Sequence, residues 1–376
     1  MPNHIQSNLK FLCDEKRIRE ILESVMYDPS GENEERGFGT IDFERIIPMP
    51  QELDIESGSR TTQAIELYLT SVNPRISYFG SDKMDSSEFD SLVAKINENK
   101  RYPYNSALPE HEIADTIKYS HQKAELLDLG QKAVNNCINY GAPTWYEWRV
   151  QNWGTKWNSY SNSYDGGDTI CLQTAWSAPK EVIKALSAQN PDVAMELEYA
   201  DEDIGANCGR LLYVGGEITE EYHPESETEA VEFAASVWDY DIKDTLGLYK
   251  NATGDRYIYP SEDDFELISI LGKDALFTNE RLTDSNIAAG LYVYHLRDAD
   301  TGDAFATLEP RVEVNFGGSV ITKEPIDFGE EGYIDISGEE NSPNFCGEEI
   351  SMLSFMEGTY EQYEQEEEEE EGVTLC

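Results

Sequence analysis

The apolar positions of the first part of the chain follow a strand period and then a helix period. Residues 8–13 form a short strand-like run, and Asp14 can cap a helix that follows it. That helix is predicted by an apolar stripe with the spacing of one buried helix face: Ile18, Ile21, Leu22, Val25 and Met26. Residues 40–47 then alternate, which predicts a strand paired at a sheet edge until Pro48 and Pro50 end it.

Residues 60–140 are predicted to form a helical insertion. An apolar stripe within 89–96 indicates one helix, and a longer helix is predicted over about 112–139. Gly130 lies inside the longer helix, and we expect it to be the weak point there because glycine is a poor helix former.

The chain returns to the strand period after the insertion. Residues 157–160 and 169–176 are the predicted arms of a hairpin, in which alternate residues from Ile170 to Trp176 share one face. A short amphipathic helix is followed by a strand over 193–199, whose solvent-exposed face carries Glu196 and Glu198. The order strand, helix, insertion, strand, strand, helix, strand is typical of a ferredoxin-like split βαβ sheet, so the fold class is α+β.

The last third of the chain has a different character. The pattern loosens over 241–264, which predicts a linker after a first domain of residues 1–240. Short runs with turn residues between them predict a small β-rich domain over 265–350. Residues 351–376 form an acidic tail in which eight of the eleven residues from 361 to 371 are Glu, so we expect disorder there.

Aromatic residues concentrate between the insertion and the hairpin. Residues 144–158 hold four of the six tryptophans in the chain. One interpretation is core packing, because each buried Trp covers roughly 150–250 Å². The other is a recognition surface, since Trp and Arg are enriched at binding hot spots. The candidate binding residues are Arg149, Asn152, Trp153, Lys156 and Trp157, together with Glu196 and Glu198.

Several separated motifs resemble a known family. The motifs are Asn152-Trp153-Gly154-Thr155-Lys156-Trp157, residues 174–179 (TAWSAP), residues 2–4 (PNH) and residues 43–50 (FERIIPMP). Over about residues 1–220 the chain thereby resembles the YubB-like ferredoxin-fold family of phage and plasmid proteins. The resemblance implies a ferredoxin-like sheet in a protein of a mobile genetic element, and it implies no catalytic residue.

A second resemblance covers about residues 270–330. It rests on the stretches at 275–281 (ALFTNER), 290–297 (GLYVYHLR), 309–310 (EP) and 314–318 (VNFGG). These are similar to a large polyvalent protein-associated domain, which implies the same setting in phages and conjugative elements. No activity follows from this resemblance either.

Charge narrows the choice of partners. The chain has 75 acidic and 28 basic residues, a formal net charge of −47. Direct binding of nucleic acid or of an anionic membrane requires a basic footprint, so both are excluded as direct partners. A protein partner with a basic surface is favoured, and one form of that binding is mimicry of nucleic acid by carboxylates. The alternative is that the charge serves solubility alone.

Motifs of known chemistry do not occur in the sequence. It has no P-loop, no dinucleotide-binding glycine motif and no HExxH pair. The six cysteines are far apart, which favours reduced thiols over disulfides or a zinc site, and we expect neither a metal nor a cofactor. Residues 298–309 resemble a calcium loop, but Gly302 and Asp303 occupy the wrong places, so an acidic hairpin turn is expected. His295 is a candidate acid or base without an identifiable nucleophile.

These observations predict a cytoplasmic, non-enzymatic interaction protein of a phage or conjugative element. No apolar run long enough to span a membrane and no secretory signal occur in the sequence. The alternative is an enzyme of unknown reaction with a site between the helical insertion and the sheet. Convergent titratable groups in that cleft would distinguish the enzyme from the binding protein.

Overall fold

The computed structural model describes residues 3–31, 36–76, 83–98, 123–260, 265–297, 307–309, 317–336, 338 and 341–362. The chain forms two compact units, Met1–His223 and Pro224–Cys376. No helix in the described ranges has both the length and the apolar content of a membrane span.

The first unit is built on a six-stranded antiparallel sheet with the strand order β2-β3-β1-β4-β5-β6. Its strands are β1 (His4–Leu12), β2 (Tyr160–Tyr164), β3 (Thr169–Ala175), β4 (Ala194–Asp201), β5 (Gly209–Val214) and β6 (Glu217–Tyr222). Strand β1 lies between β3 and β4 and is antiparallel to both. Each βαβ unit is therefore split by a strand of the other, which confirms the ferredoxin-like fold.

Two helices cover one face of this sheet, α1 (Glu15–Val25) and α6 (Lys180–Gln189). The Asp14 side chain accepts a hydrogen bond from the Arg17 amide and begins α1 as predicted. The apolar stripes of both helices join one core with inward residues of the strands, among them Ile5, Leu9 and Phe11. The alternate residues of β1, including Gln6, Asn8 and Lys10, are half-buried on the opposite face.

The edge strand predicted over residues 40–47 is wrong. A 3₁₀ turn occupies Phe43–Arg45, because the Asp42 side chain accepts a hydrogen bond from the Glu44 amide at 3.0 Å. Side chains instead attach this segment to the start of β2. Asn158 accepts from the Phe43 amide at 2.8 Å, and Asn162 accepts from the Ile41 amide at 3.2 Å. The hairpin arm correspondingly begins at Tyr160 rather than at residue 157.

The insertion contains α2 (Ser59–Val72), α3 (Ser86–Glu98) and α4 (Lys123–Tyr140). The first part of the helix predicted over 112–139 lies outside the described residues. Gly130 is not simply a weak point of α4. A Cβ at this position would lie 2.0 Å from the Ala64 carbonyl oxygen of α2, so the missing side chain is what lets the two helices approach closely.

The second unit contains α7 (Glu227–Trp238), a two-stranded ribbon and a seven-stranded antiparallel sheet with the order β14-β12-β11-β13-β10-β9-β15. The strands are β7 (Tyr249–Lys250), β8 (Tyr257–Ile258), β9 (Phe265–Ile270), β10 (Lys273–Thr278), β11 (Tyr292–Arg297), β12 (Thr307–Glu309), β13 (Ser319–Thr322), β14 (Ile334–Asp335) and β15 (Asn344–Ile350). Alternate residues of the central strands enter two separate apolar clusters. The predicted β-rich region is therefore present.

Part of the stretch assigned to the acidic tail is ordered structure. Helix α8 spans Met352–Glu357, and Met352 and Phe355 are buried against the second unit's sheet residues. The Ser351 side chain caps this helix by accepting from the Ser354 amide. The predicted disorder of the glutamate run from residue 363 onward falls outside the described residues, as do residues 298–306 of the calcium-like loop.

Limited proteolysis will test the predicted linker. The boundary between the two compact units lies between His223 and Pro224, whereas the periodic pattern of apolar residues loosens over 241–264. We expect a first cleavage within 241–264 that leaves a stable fragment of about residues 1–240, because a loosely packed linker is the preferred site of nicking. Mass spectrometry of the fragments gives the boundary. If circular dichroism shows that the isolated fragment is unfolded, the predicted division is wrong.

Candidate functional site

The aromatic stretch forms helix α5 (Trp145–Asn152) and a turn that is tied to the end of β3. Thr144 caps the helix by accepting a hydrogen bond from the Tyr146 amide. Gly154 follows with φ 76°, a left-handed conformation that glycine adopts without strain. The Thr155 hydroxyl donates to the Ala175 carbonyl at 2.8 Å, and the Ser177 hydroxyl donates to the Gly154 carbonyl at 2.6 Å. The turn is thus fixed to the sheet.

Trp153 belongs to the core. Its side chain is 0% exposed, and its indole Nε1 donates to the Ile47 carbonyl at 2.9 Å. Phe43 and Trp148 contact the ring edge to face, at centroid distances of 5.7 and 6.1 Å. The core interpretation therefore applies to Trp153, and this residue is too deeply buried to touch a partner.

Arg149 and Asn152 also have structural roles. The Arg149 guanidinium lies between two indoles, 5.2 Å from the Trp145 centroid and 4.6 Å from that of Trp153. It also contacts the Glu44 carboxylate, with Nη2 3.4 Å from Oε1. The Asn152 side chain donates to the Trp148 carbonyl at 2.9 Å, which stabilises the end of α5. Arg149 thus joins helix α5 to the 3₁₀ turn through Glu44, whereas Asn152 acts within the helix.

The remaining aromatics of this region form a surface that we call the aromatic–lysine surface: Tyr146, Lys156, Trp157, Tyr160 and Trp176. The Lys156 Nζ lies 4.9 Å from the Trp176 ring centroid, 5.0 Å from that of Trp157 and 5.9 Å from that of Tyr146. Trp157 and Trp176 are 36% and 44% exposed. Contiguous exposed apolar patches mark binding sites more often than single exposed rings do, and Trp residues are enriched at binding hot spots.

Tyr160 and the backbone hold this surface in one arrangement. The Tyr160 hydroxyl donates to the Thr174 carbonyl at 3.0 Å and lies 2.7 Å from His4 Nδ1. Burial, with a smaller contribution from Glu202, raises the pKa of Tyr160 to about 12, so the phenol stays protonated and can donate. The Tyr160 ring contacts Trp157 edge to face, at 6.2 Å. The Trp rings are thus presented by a rigid support.

Trp176 departs from the strand pattern of β3. The period of two predicts it on the same face as Ile170, Leu172 and Thr174, which are buried. Its φ of 71° instead turns the side chain outward, and its amide donates to the Asn3 carbonyl at 2.9 Å. A left-handed conformation at a bulky residue costs on the order of 1–3 kcal/mol and is found most often at functional sites. The inward prediction for Trp176 is therefore wrong.

Glu196 and Glu198 lie elsewhere, on the half-exposed face of β4. The Glu196 carboxylate contacts Arg210, with Oε2 3.7 Å from Nε, and Lys10 is its partner in register on β1. Burial raises the pKa of Glu198, and the neighbouring carboxylate of Glu196 adds to this effect. The two acids therefore face cations of their own sheet and do not form a continuous negative strip.

Of the seven candidate residues, the structure places Lys156 and Trp157 in the aromatic–lysine surface; Trp157 is exposed and Lys156 is half-buried. Tyr146, Tyr160 and Trp176 complete that surface and were not among the candidates. Trp176 lies in the TAWSAP motif, so its sequence signal was a bulky residue between the end of β3 and the start of α6 at Lys180. No comparable signal marked Tyr146 or Tyr160.

His295 is buried in the second unit, and Ser319 lies next to it. Its Nδ1 is 3.4 Å from the Ser319 hydroxyl oxygen. That hydroxyl donates to the Glu280 carbonyl at 2.8 Å and accepts from the Leu282 amide at 2.7 Å. Burial lowers the pKa of His295, with a contribution from the Arg281 cation, so the ring is neutral at pH 7. Backbone groups thus hold the serine hydroxyl through one donated and one accepted hydrogen bond.

Histidine, cysteine and carboxylate side chains form no group of three with metal-binding geometry within the described ranges. A cleft of about 430 Å³ in the second unit is lined in part by Asp284 and Tyr292. Its lining contains one carboxylate, that of Asp284, and no histidine, cysteine or lysine. The exposed aromatic surface is therefore the strongest candidate site in the first unit.

Comparisons with known proteins agree with the two resemblances at the level of domains. A family described as the ferredoxin-like domain in Api92-like protein matches residues 153–241. A family described as large polyvalent protein associated domain 28 matches residues 261–357. These matches support a ferredoxin-like domain followed by a polyvalent protein-associated domain.

Among solved structures, the crystal structure of the protein api92 from Yersinia pseudotuberculosis is similar to this chain at 10% identity and a TM-score of 0.27. The alignment covers 60% of this chain and 99% of that protein. No curated protein sequence matches the chain. The narrower YubB-like assignment, and an origin in a phage or plasmid, stay predictions.

Proposed function

We propose that this chain is a non-enzymatic interaction protein of a phage or conjugative element and that it binds a protein partner through the aromatic–lysine surface. The observation that carries the proposal is the pair of exposed tryptophans, Trp157 and Trp176, with the Lys156 ammonium between their rings. Tryptophan is the residue type most enriched at binding hot spots, and its large rigid ring is ordered at little entropic cost.

The tyrosines that contact Trp157 and Trp176 favour a binding role over core packing for the two tryptophans. Each ring contacts a neighbouring tyrosine edge to face, Trp157 with Tyr160 and Trp176 with Tyr146. The tyrosines are attached to the fold by hydrogen bonds and by helix α5. A surface that is already ordered before binding loses less conformational entropy when a partner docks.

The charge of the chain supports a partner with a basic surface. The net charge of −47 attracts such a partner over long range and accelerates its association. In the first unit, the exposed edge strand β6 carries Glu217, Glu220 and Glu221. Mimicry of nucleic acid is the narrower form of this proposal, and it requires that the partner be a nucleic-acid-binding protein of the host.

A cytoplasmic setting is part of the proposal. Its support is the wide spacing of the cysteines in the sequence, and Cys13, Cys137 and Cys346 are free thiols in the structure. Reduced thiols are typical of the cytoplasm. The mobile-element setting rests on the resemblance of the sequence motifs to phage and plasmid proteins.

Affinity capture from host lysate with a matched pair of variants will test the surface. We expect the double variant Trp157→Ala/Trp176→Ala to lose the partner, with affinity reduced at least about 30-fold, because hot-spot truncations cost about 2 kcal/mol or more. The control is Tyr259→Ala, which removes a 70% exposed aromatic side chain in the second unit. Mass spectrometry identifies proteins recovered by the wild type and the control but not by the double variant.

The same partner will test the role of charge. We expect its affinity to fall steeply as salt rises, because exposed charges are screened beyond about 8–10 Å at physiological ionic strength. Under mimicry, DNA will compete with this chain for the partner. If the double variant recovers the same proteins in the same amounts as the wild type, the aromatic–lysine surface is not the docking site. If the bound partner still takes DNA at full affinity, the mimicry form is wrong.

A further inference from the structure

We infer that the aromatic–lysine surface recognises an acidic–apolar protein segment, in which a carboxylate binds Lys156 and an adjacent apolar side chain packs on Trp157 and Trp176. This inference rests on the proposed docking function and specifies the chemistry of the bound segment. It concerns the contact point alone, so the rest of the partner's surface can still be basic.

The state of Lys156 carries the argument. No carboxylate in the described part of the chain lies within ion-pair distance of its ammonium, although acids outnumber bases by 75 to 28 in the sequence. Lys10 and Arg210 of the same unit each face a carboxylate, at 3.5 Å and 3.7 Å. An aromatic face attracts a cation but is only a weak hydrogen-bond acceptor, so the three N–H donors of Lys156 remain available to a partner.

Docking changes the surroundings of this ammonium. A partner that covers Trp157 and Trp176 removes water from both rings and from the lysine between them. A charged group that loses water without gaining a partner is costly, so an apolar segment alone would bind poorly. A carboxylate supplies an acceptor, and its attraction to the ammonium increases as water leaves. The surface therefore selects an anion and an apolar group that lie side by side.

A protein carboxylate fits this surface better than a nucleic-acid phosphate does. Aromatic rings beside a lysine are also compatible with stacked bases and a phosphate. Binding of a nucleic-acid strand, however, depends on neutralising several phosphates, and the net charge of −47 opposes the approach of such a chain. A single carboxylate on a partner that is basic elsewhere avoids this repulsion, because the attraction of the surrounding basic surface outweighs the repulsion of one anion.

Selection from a library of short random peptides displayed on phage will test the inference, with the full-length protein as bait. We expect the recovered peptides to share Asp or Glu next to an aromatic or large aliphatic residue. Lys156→Gln should weaken binding of a synthetic peptide from the leading clone at least about tenfold. Exchange of its Asp or Glu for Asn or Gln should have an equal effect, and the two changes together should add little more, because both remove the same contact.

The matched control is Lys323→Gln, which removes the same charge from a lysine that also lies over two rings, 4.7 Å from Phe355 and 5.0 Å from Tyr360. It should leave peptide binding unchanged. Melting curves of both lysine variants should match the wild type, which separates lost recognition from lost folding.

Three results would overturn the inference. The first is that the selected peptides bind through Trp157 and Trp176 but lack an acidic residue or do not depend on Lys156. The docking function would then stand, with a bound segment of another chemistry. A second is capture of a labelled single-stranded thymidine oligonucleotide that depends on the two tryptophans. The third is that no selected peptide needs Trp157 and Trp176 for binding. The lysate experiment, in which the partner is lost from the tryptophan variant, then decides the docking function separately.

Discussion

Replacement of Trp153 by alanine will lower the free energy of unfolding of the first unit by about 3–5 kcal/mol, the usual range for truncation of a large buried aromatic side chain. The indole is 0% exposed and contacts Phe43, Trp148 and the Arg149 guanidinium. Its removal leaves a cavity and leaves the Ile47 carbonyl without the donor that it now has. Urea unfolding followed by circular dichroism measures the change.

Trp157→Ala is the matched control for this experiment, because it removes the same side chain four positions later. The exposed fraction of Trp157 is 36%, and its indole belongs to the surface rather than to the core. We expect a loss of less than about 1 kcal/mol, near the range of surface substitutions. Equal losses for the two variants would contradict the division between a buried and an exposed tryptophan. An unchanged unfolding midpoint for Trp153→Ala would contradict the core position of that residue.

Gly130→Ala will destabilise the helical insertion by about 1–3 kcal/mol or more, although the same change in an exposed helix stabilises it by about 1 kcal/mol. The added Cβ would lie 2.0 Å from the Ala64 carbonyl oxygen and 2.8 Å from the Tyr68 Cβ. Backbone atoms cannot move aside as a flexible side chain can. Helices α2 and α4 would have to separate, and the contacts between their apolar residues would weaken.

Asn135→Ala provides the comparison within α4, because residue 135 is exposed and alanine is the better helix former. We expect it to be neutral or slightly stabilising. Thermal unfolding of the two variants, followed at a helix-sensitive wavelength, separates the close approach from helix propensity. Should Gly130→Ala raise the melting temperature as Asn135→Ala does, the helices do not approach at Gly130.

The strands and helices of the first unit were predictable because their signals are local. The apolar stripe from Ile18 to Val25 and the alternation along β4 depend only on which side of an element faces the core. The order of these elements then restricts the sheet to few topologies. The same reasoning predicted the β-rich second unit. It failed for residues 40–47, which alternate as a strand does. There the Asp42 and Asn158 side chains accept hydrogen bonds from the Glu44 and Phe43 amides and favour a 3₁₀ turn.

The sequence did not distinguish the buried residues of the candidate site from the exposed ones. Trp153 and Trp157 belong to one motif and have the same side chain, but only the first lies under the segment that carries Phe43 and Ile47. Glu196 and Glu198 have an exposed pattern, but their cationic neighbours come from β1 and β5. In each case the deciding contact joins residues far apart in the chain.

The sequence by itself determined the helices and strands of the ferredoxin-like core and their order, the excess of negative charge and the concentration of tryptophan before the hairpin. The tertiary structure alone decided which tryptophans are buried, that Trp176 turns outward and meets Lys156, and that Gly130 lies at a helix crossing. The physical reason is that periodicity reports the burial of a residue relative to its own helix or strand. Whether a side chain is exposed to a partner depends on which distant segments of the chain cover it, and only the tertiary packing decides that.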